Sequence, residues 1–181
     1  MLFVPAVLGA QEPQATDDFT AYIEQLRSWG MTEAARMSLY TLACVQSGLS
    51  VFIVEKDDSS GAYRFGYRGT SCPKPDMSEA ERQELRKEQD AKIDPLVEKM
   101  RSIADTDKSG FVTTEEAQLF RAVVEFGYQA SNVVKAEAHD MEKVCRGLSM
   151  TEKQIRERET QYKELLPKAR AAGLDLPDLN I

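Results

Sequence analysis

One stretch of this chain spaces its oxygen-bearing residues as a hard cation needs them. Residues 105–116 read Asp-Thr-Asp-Lys-Ser-Gly-Phe-Val-Thr-Thr-Glu-Glu and fit D-x-[DN]-x-S-G-x5-E over the whole pattern. Calcium takes roughly six to eight oxygens at about 2.3–2.6 Å. Asp105, Asp107 and Ser109 alternate along the chain, so a tightly curled loop turns three side-chain oxygens toward one centre. Gly110 permits the positive-φ turn that a residue with a Cβ would resist. Phe111 offers its backbone carbonyl, and Thr113 stands where a ligand commonly acts through a water molecule. Glu116, already inside the following helix, closes the sphere with both carboxylate oxygens. Val97, Met100, Ile103 and Ala104 give the incoming helix an apolar face, and Thr113-x-x-Glu116 is itself a capping box, so helix initiation and ligation share residues. A surface turn that binds nothing requires neither the terminal glutamate nor the apolar Val112 ahead of the helix.

On these residues the chain resembles the EF-hand family, over roughly Asp94 to Val124. The resemblance implies helix–loop–helix binding of Ca2+, with Asp105, Asp107, Ser109, Phe111, Thr113 and Glu116 as ligands. Two positions depart from the family pattern. Ser109 replaces a commoner acid, leaving three carboxylates, and Arg101 occupies a flank position that is more often apolar. The lower charge predicts a dissociation constant on the order of 10⁻⁵ to 10⁻³ M. EF-hands normally occur in pairs, but Lys56 to Tyr67 has Lys56 in place of the first acid and Tyr67 in place of the last, and the tail Leu174–Asp178 is too short and lacks the glycine. A single hand is therefore expected. Val112 then pairs within a homodimer, packs on the protein's own core or leaves its strand edge in water. Calcium acts either as a structural ligand or as a signal that bares a helix face to a protein partner.

Other chemistries find little support. The chain has one histidine, His139, and three cysteines, Cys44, Cys72 and Cys145. That excludes most zinc sites and disulfide-dense scaffolds. If one helix runs through both, Cys145 lies six residues beyond His139 and points away from it, and a solvated helix histidine is the simpler reading. No glycine-rich phosphate loop, H-E-x-x-H or G-x-S-x-G occurs, so no enzyme is expected. The net charge of −7 argues against a nucleic-acid binder, and Arg64 and Arg68 beside Tyr63, Phe65 and Tyr67 are too few to reverse it. Met37 to Val54 carries no charge over 18 residues, but Gln46, Ser47, Gly48 and Ser50 at its centre argue against a membrane span.

The elements that must position the loop are mostly helical. Phe19, Tyr22, Ile23, Leu26 and Trp29 share one helical face, ended by Gly30, and a second helix runs from an N-cap at Thr32 to about Ser47. Val51–Val54 and the alternating Tyr63–Arg68 predict a β-hairpin whose aromatic face covers the N-terminal helices. Ser78-x-x-Glu81 opens a helix that Asp94-Pro95 restarts or kinks. The stripe Phe120, Val123, Val124, Gly127, Ala130, Val134, Ala138, Met141 and Cys145 predicts a helix from Thr114 to Arg146, spanning roughly 50 Å if unbroken and ended by Gly147. A last helix starts near Thr151 and stops by Gly173, with a bend expected at Pro167. The fold class is mainly α: an N-terminal helix pair plus β-hairpin over 16–75, then a helical bundle with one EF-hand helix-loop-helix over 76–181. Residues 1–15 form a truncated signal segment or a disordered terminus. The run Leu2–Leu8 before Gly9-Ala10 resembles the end of a secretory leader, with the basic start missing; the alternative is an apolar terminus docked on the core. Export to the periplasm or the extracellular space would allow a Cys44–Cys72 disulfide closing a loop worth about 3 kcal/mol; in a reducing cytoplasm all three cysteines are thiols.

Overall fold

A computed structural model of the chain describes residues 15–71 and 73–181, with side chains described from Thr20 onward. The expected leader and its cleavage point lie outside the described residues, as do the side chain of Phe19 and Cys72, and with Cys72 the pairing to Cys44. The fold is mainly helical, with an N-terminal helix pair, a two-stranded antiparallel hairpin and then a helical bundle.

The pair consists of α1 (Ala15–Ser28) and α2 (Glu33–Gln46). Thr32 caps α2 by accepting from the Ala35 N–H at 3.0 Å, and a left-handed Gly30 (φ +67°) makes the sharp connection between the two helices. Strands β1 (Ser50–Lys56) and β2 (Tyr63–Gly69) pair from Ser50↔Gly69 to Lys56↔Tyr63. The aromatic face of this hairpin meets the bundle rather than the N-terminal helices alone. Phe52 stacks on Tyr128 with ring centroids 5.4 Å apart, the Tyr63 hydroxyl donates to Glu137 and the Tyr67 hydroxyl to Glu125, all three partners on one later helix or at its end. Acceptors and a ring there suit tyrosines, which need a polar partner when covered.

The bundle comprises α3 (Glu79–Ala104), α4 (Thr114–Ala136), α5 (Met141–Leu148) and α6 (Glu152–Ala171). Capping boxes at Ser78/Glu81, Thr113/Glu116 and Thr151/Gln154 start α3, α4 and α6. Pro95 does not restart α3, which is one helix through it. An interior proline costs about 3 kcal/mol, and the burial of Val97, Met100 and Ala104 beyond it holds the last turns in place. The expected long helix, by contrast, is broken. Ala138 and His139 both turn left-handed (φ +49° and +65°), and Asp140 accepts from the Lys143 N–H to cap α5. The apolar periodicity crosses the break because Met141 and Cys145 still meet the core, while Ala138 lies outside it in the turn. Gly147 lies inside α5, and Ser149 (φ +53°) provides the left-handed end.

Helix α4 is central and touches α2, α3, α5, α6 and β1. Its buried side reads Ala117, Phe120, Val123, Val124, Gly127, Ala130 and Val134. At Gly127 α4 packs tightly on α6: a Cβ there would lie 2.1 Å from the ring of the fully buried Tyr162. The chain after α6 has no regular secondary structure but is docked, with Leu174, Leu176 and Leu179 buried. Gln46 pairs with the Asp175 backbone, accepting its N–H at 2.8 Å and donating to its carbonyl at 2.7 Å. Among the described residues no helix is long and apolar enough to cross a membrane; the uncharged stretch from Met37 is divided between α2 and β1.

Candidate metal centre

The loop between α3 and α4 is held open from both ends. Asp105 closes α3, and its two oxygens accept the Ser109 N–H at 3.0 Å and the Gly110 N–H at 2.8 Å, curling the following residues around its carboxylate. Asp107 also accepts the Ser109 N–H, at 2.9 Å. Gly110 is left-handed (φ +82°), as the pattern requires, and Lys108 adopts the same region at +57°. On the far side Glu116 splits its carboxylate between two duties. One oxygen accepts from the Thr113 N–H and hydroxyl, both at 3.0 Å; the other accepts from the Thr106 N–H and hydroxyl at 3.0 and 2.9 Å.

Asp105, Asp107 and Glu116 thereby bring one carboxylate oxygen each to within 4.8 Å of one another. The Ser109 hydroxyl stands 3.5 Å from Asp105 and donates to the Phe111 carbonyl at 2.9 Å, so the fifth and seventh loop positions adjoin the acids. Thr113 is engaged differently: its hydroxyl donates to Glu116 and accepts the Glu116 N–H at 3.2 Å, which makes it part of the helix cap. The Phe111 side chain is 37 % exposed, leaving the backbone as its contribution to the loop.

Two of the three carboxylates, Asp107 and Glu116, are held in their ionised form by hydrogen bonds. The Ser109 backbone N–H, then its hydroxyl, holds Asp107 below the ordinary carboxylate range. The Thr113 backbone N–H does the same for Glu116, against partial burial and with help from Thr106. Three anionic groups this close repel one another. A divalent cation among them would remove that repulsion, and the donor set is wholly oxygen, as calcium prefers.

Several residues that govern the loop lie outside the ligand pattern. Thr106 stands at a variable position, yet it anchors one oxygen of Glu116. Arg101 forms a bidentate pair with Glu98 at 2.8 and 2.6 Å and donates from Nη1 to the Gly110 carbonyl at 3.3 Å. Val112, fully buried, donates its N–H to the Gly30 carbonyl at 2.7 Å and forms a parallel bridge with Met31. Thr32 and Thr114 share a hydroxyl–hydroxyl bond of 2.8 Å. Of the three surroundings open to Val112, it has the chain's own core, supplied by the α1–α2 connection. Gly30 reads in sequence only as a helix stop.

Beside Glu116 a groove of about 180 Å³ runs between the end of α3, the start of α4 and α6, its apolar wall formed by Ile103, Leu119, Phe120 and Leu165 and its polar rim by Glu164 and Lys168. Leu119 is 48 % exposed there. His139, the one imidazole, lies exposed in the α4–α5 turn and not on a helix. No family model matches this chain, and neither does any curated protein or solved structure.

Proposed function

We propose that the chain binds one calcium ion in the 105–116 loop, through the carboxylates of Asp105, Asp107 and Glu116, the Ser109 hydroxyl and the Phe111 carbonyl, with Thr113 acting through water. The observation that carries this reading is the convergence of acids from the first, third and twelfth positions of the pattern to within 4.8 Å. Uptake would move the net charge from −7 to −5. The role is structural binding, not catalysis. The loop joins two long helices and is tied to the α1–α2 connection, and α6 packs on both α3 and α4, so the ion would clamp elements already in contact. A weak site, on the order of 10⁻⁵ to 10⁻³ M, suits a calcium-rich compartment outside the cytoplasm.

The groove beside Glu116 favours a second reading, in which calcium moves α4 against α3 and widens an apolar cleft for a partner helix. Melting curves and apolar-dye binding, each in calcium and in chelator, separate the two. The structural role predicts a midpoint raised by calcium with no new dye binding. New dye fluorescence with little stabilisation would establish the second reading, and no response in either would overturn both.

A further inference from the structure

The α1–α2 connection touches the loop at the point where its one main-chain ligand must be aimed. The Phe111 carbonyl and the Val112 N–H belong to the same peptide unit, which is planar and trans. Fixing the N–H therefore fixes the carbonyl in the opposite direction. The Gly30 carbonyl accepts that N–H at 2.7 Å, and the Phe111 oxygen on the other side faces the Ser109 hydroxyl at 2.9 Å. The preceding peptide unit is held too, because Arg101 donates to the Gly110 carbonyl. Gly30 approaches so closely that a Cβ on it would stand 2.4 Å from the Gly110 oxygen, so only glycine allows the contact.

We propose that Gly30 is a positioning residue for the metal loop, and that calcium binding and the docking of the α1–α2 connection are coupled, so that this connection is the element calcium steadies. This rests on the calcium reading above. In place of a second loop, the short connection between two helices supplies the backbone acceptor. The Thr32–Thr114 hydroxyl bond joins the starts of α2 and α4, giving the contact a second point of attachment. A hydrogen bond at the N–H end of a peptide also polarises its carbonyl, making a better cation ligand. Linkage requires reciprocity: whatever factor docking adds to calcium affinity, calcium adds to docking.

The test compares Gly30→Ala with Gly61→Ala in the full chain, titrated with calcium by calorimetry, with helix content checked by circular dichroism. Gly61 is the matched control, being equally left-handed (φ +69°) with nothing within 4 Å of the place a methyl would occupy. Gly30→Ala is expected to weaken calcium binding between about 5- and 150-fold, with Gly61→Ala unchanged. In the unsubstituted chain, amide exchange across residues 29–36 should slow in calcium by the same factor. Equal affinities in the two variants, or exchange over 29–36 indifferent to calcium in a chain that binds it, would overturn the coupling while leaving the metal site standing. An unsubstituted chain that takes up no calcium would overturn the metal reading, and the coupling with it.

Discussion

Replacing Glu116 with glutamine separates metal binding from loop architecture, because the chain already uses glutamine in the same setting. At the start of α6, Thr151 donates from N and Oγ1 to Gln154 Oε1 at 2.9 and 3.0 Å, and Gln154 N donates back at 3.3 Å. The corresponding distances at Thr113 and Glu116 are 3.0, 3.0 and 3.2 Å. Glu116→Gln thus keeps the cap of α4. It loses the second carboxylate oxygen, to which Thr106 donates from both N and Oγ1. Hydrogen bonds of this kind contribute about 0.5–1.5 kcal/mol each, and these are exposed, so water restores part of them and the loss in chelator is about 1 kcal/mol. At a calcium concentration near 100 times the dissociation constant, the unsubstituted chain gains a further ~2.7 kcal/mol. Loss of the charge and of one ligand oxygen should weaken binding about 100-fold or more, since even supporting residues around a metal contribute roughly 10- to 100-fold. The variant then gains almost nothing from calcium. Urea unfolding should show a deficit of about 1 kcal/mol in chelator and about 3 kcal/mol in calcium. The same deficit in both conditions would leave Glu116 as a cap and loop anchor only, with no part in metal binding.

Two further perturbations test the frame around the site. Gly127→Ala gains about 1 kcal/mol of helix propensity but drives a methyl into the Tyr162 ring, whose hydroxyl donates to the Pro177 carbonyl at 2.6 Å. Overpacking costs about 1–3 kcal/mol and the strained hydrogen bond about 1 more, so the melting midpoint should fall; an unchanged or higher midpoint contradicts the packing of α6 on α4. Glu137 is held below the ordinary carboxylate range, first by the Lys56 ammonium 2.7 Å away and then by the Tyr63 hydroxyl. A value lower in the folded than in the unfolded chain means stability that is present above about pH 4.3 and lost as the pH falls through the folded value. Glu137→Gln should therefore unfold more easily than the unsubstituted chain at pH 7, and the two urea midpoints should converge as the pH falls below the folded value of Glu137. A gap independent of pH would show that the hairpin is not anchored through this charge.

The parts of the fold that could be read directly are those whose causes are local. Capping at Thr32, Ser78, Thr113 and Thr151 depends on residues three apart, and each is seen where the spacing placed it. The α4–α5 break was hidden because a helical stripe constrains direction only if the helix continues, and neither Ala138 nor His139 carries a strong signal for the left-handed turn. At Pro95 the helix is not restarted, since the local penalty is outweighed by core burial beyond it. In the loop, the convergence of Asp105, Asp107 and Glu116 was legible in the twelve-residue spacing because the curl that gathers them is itself local. The roles of Gly30 and Thr32 depend on contacts with residues far along the chain, 82 positions away for Thr32 and Thr114. Only assembly of the whole chain brings those together.

Calcium uptake by the 105–116 loop is read most directly by calorimetric titration of the chelator-stripped chain, run beside Asp105→Asn. Asp105 anchors the loop through the Ser109 and Gly110 N–H groups as well as offering a ligand oxygen. The expected result is one calcium per chain, with a dissociation constant on the order of 10⁻⁵ to 10⁻³ M, and loss of that uptake in the variant. No heat at millimolar calcium, or equal uptake by both proteins, would contradict it.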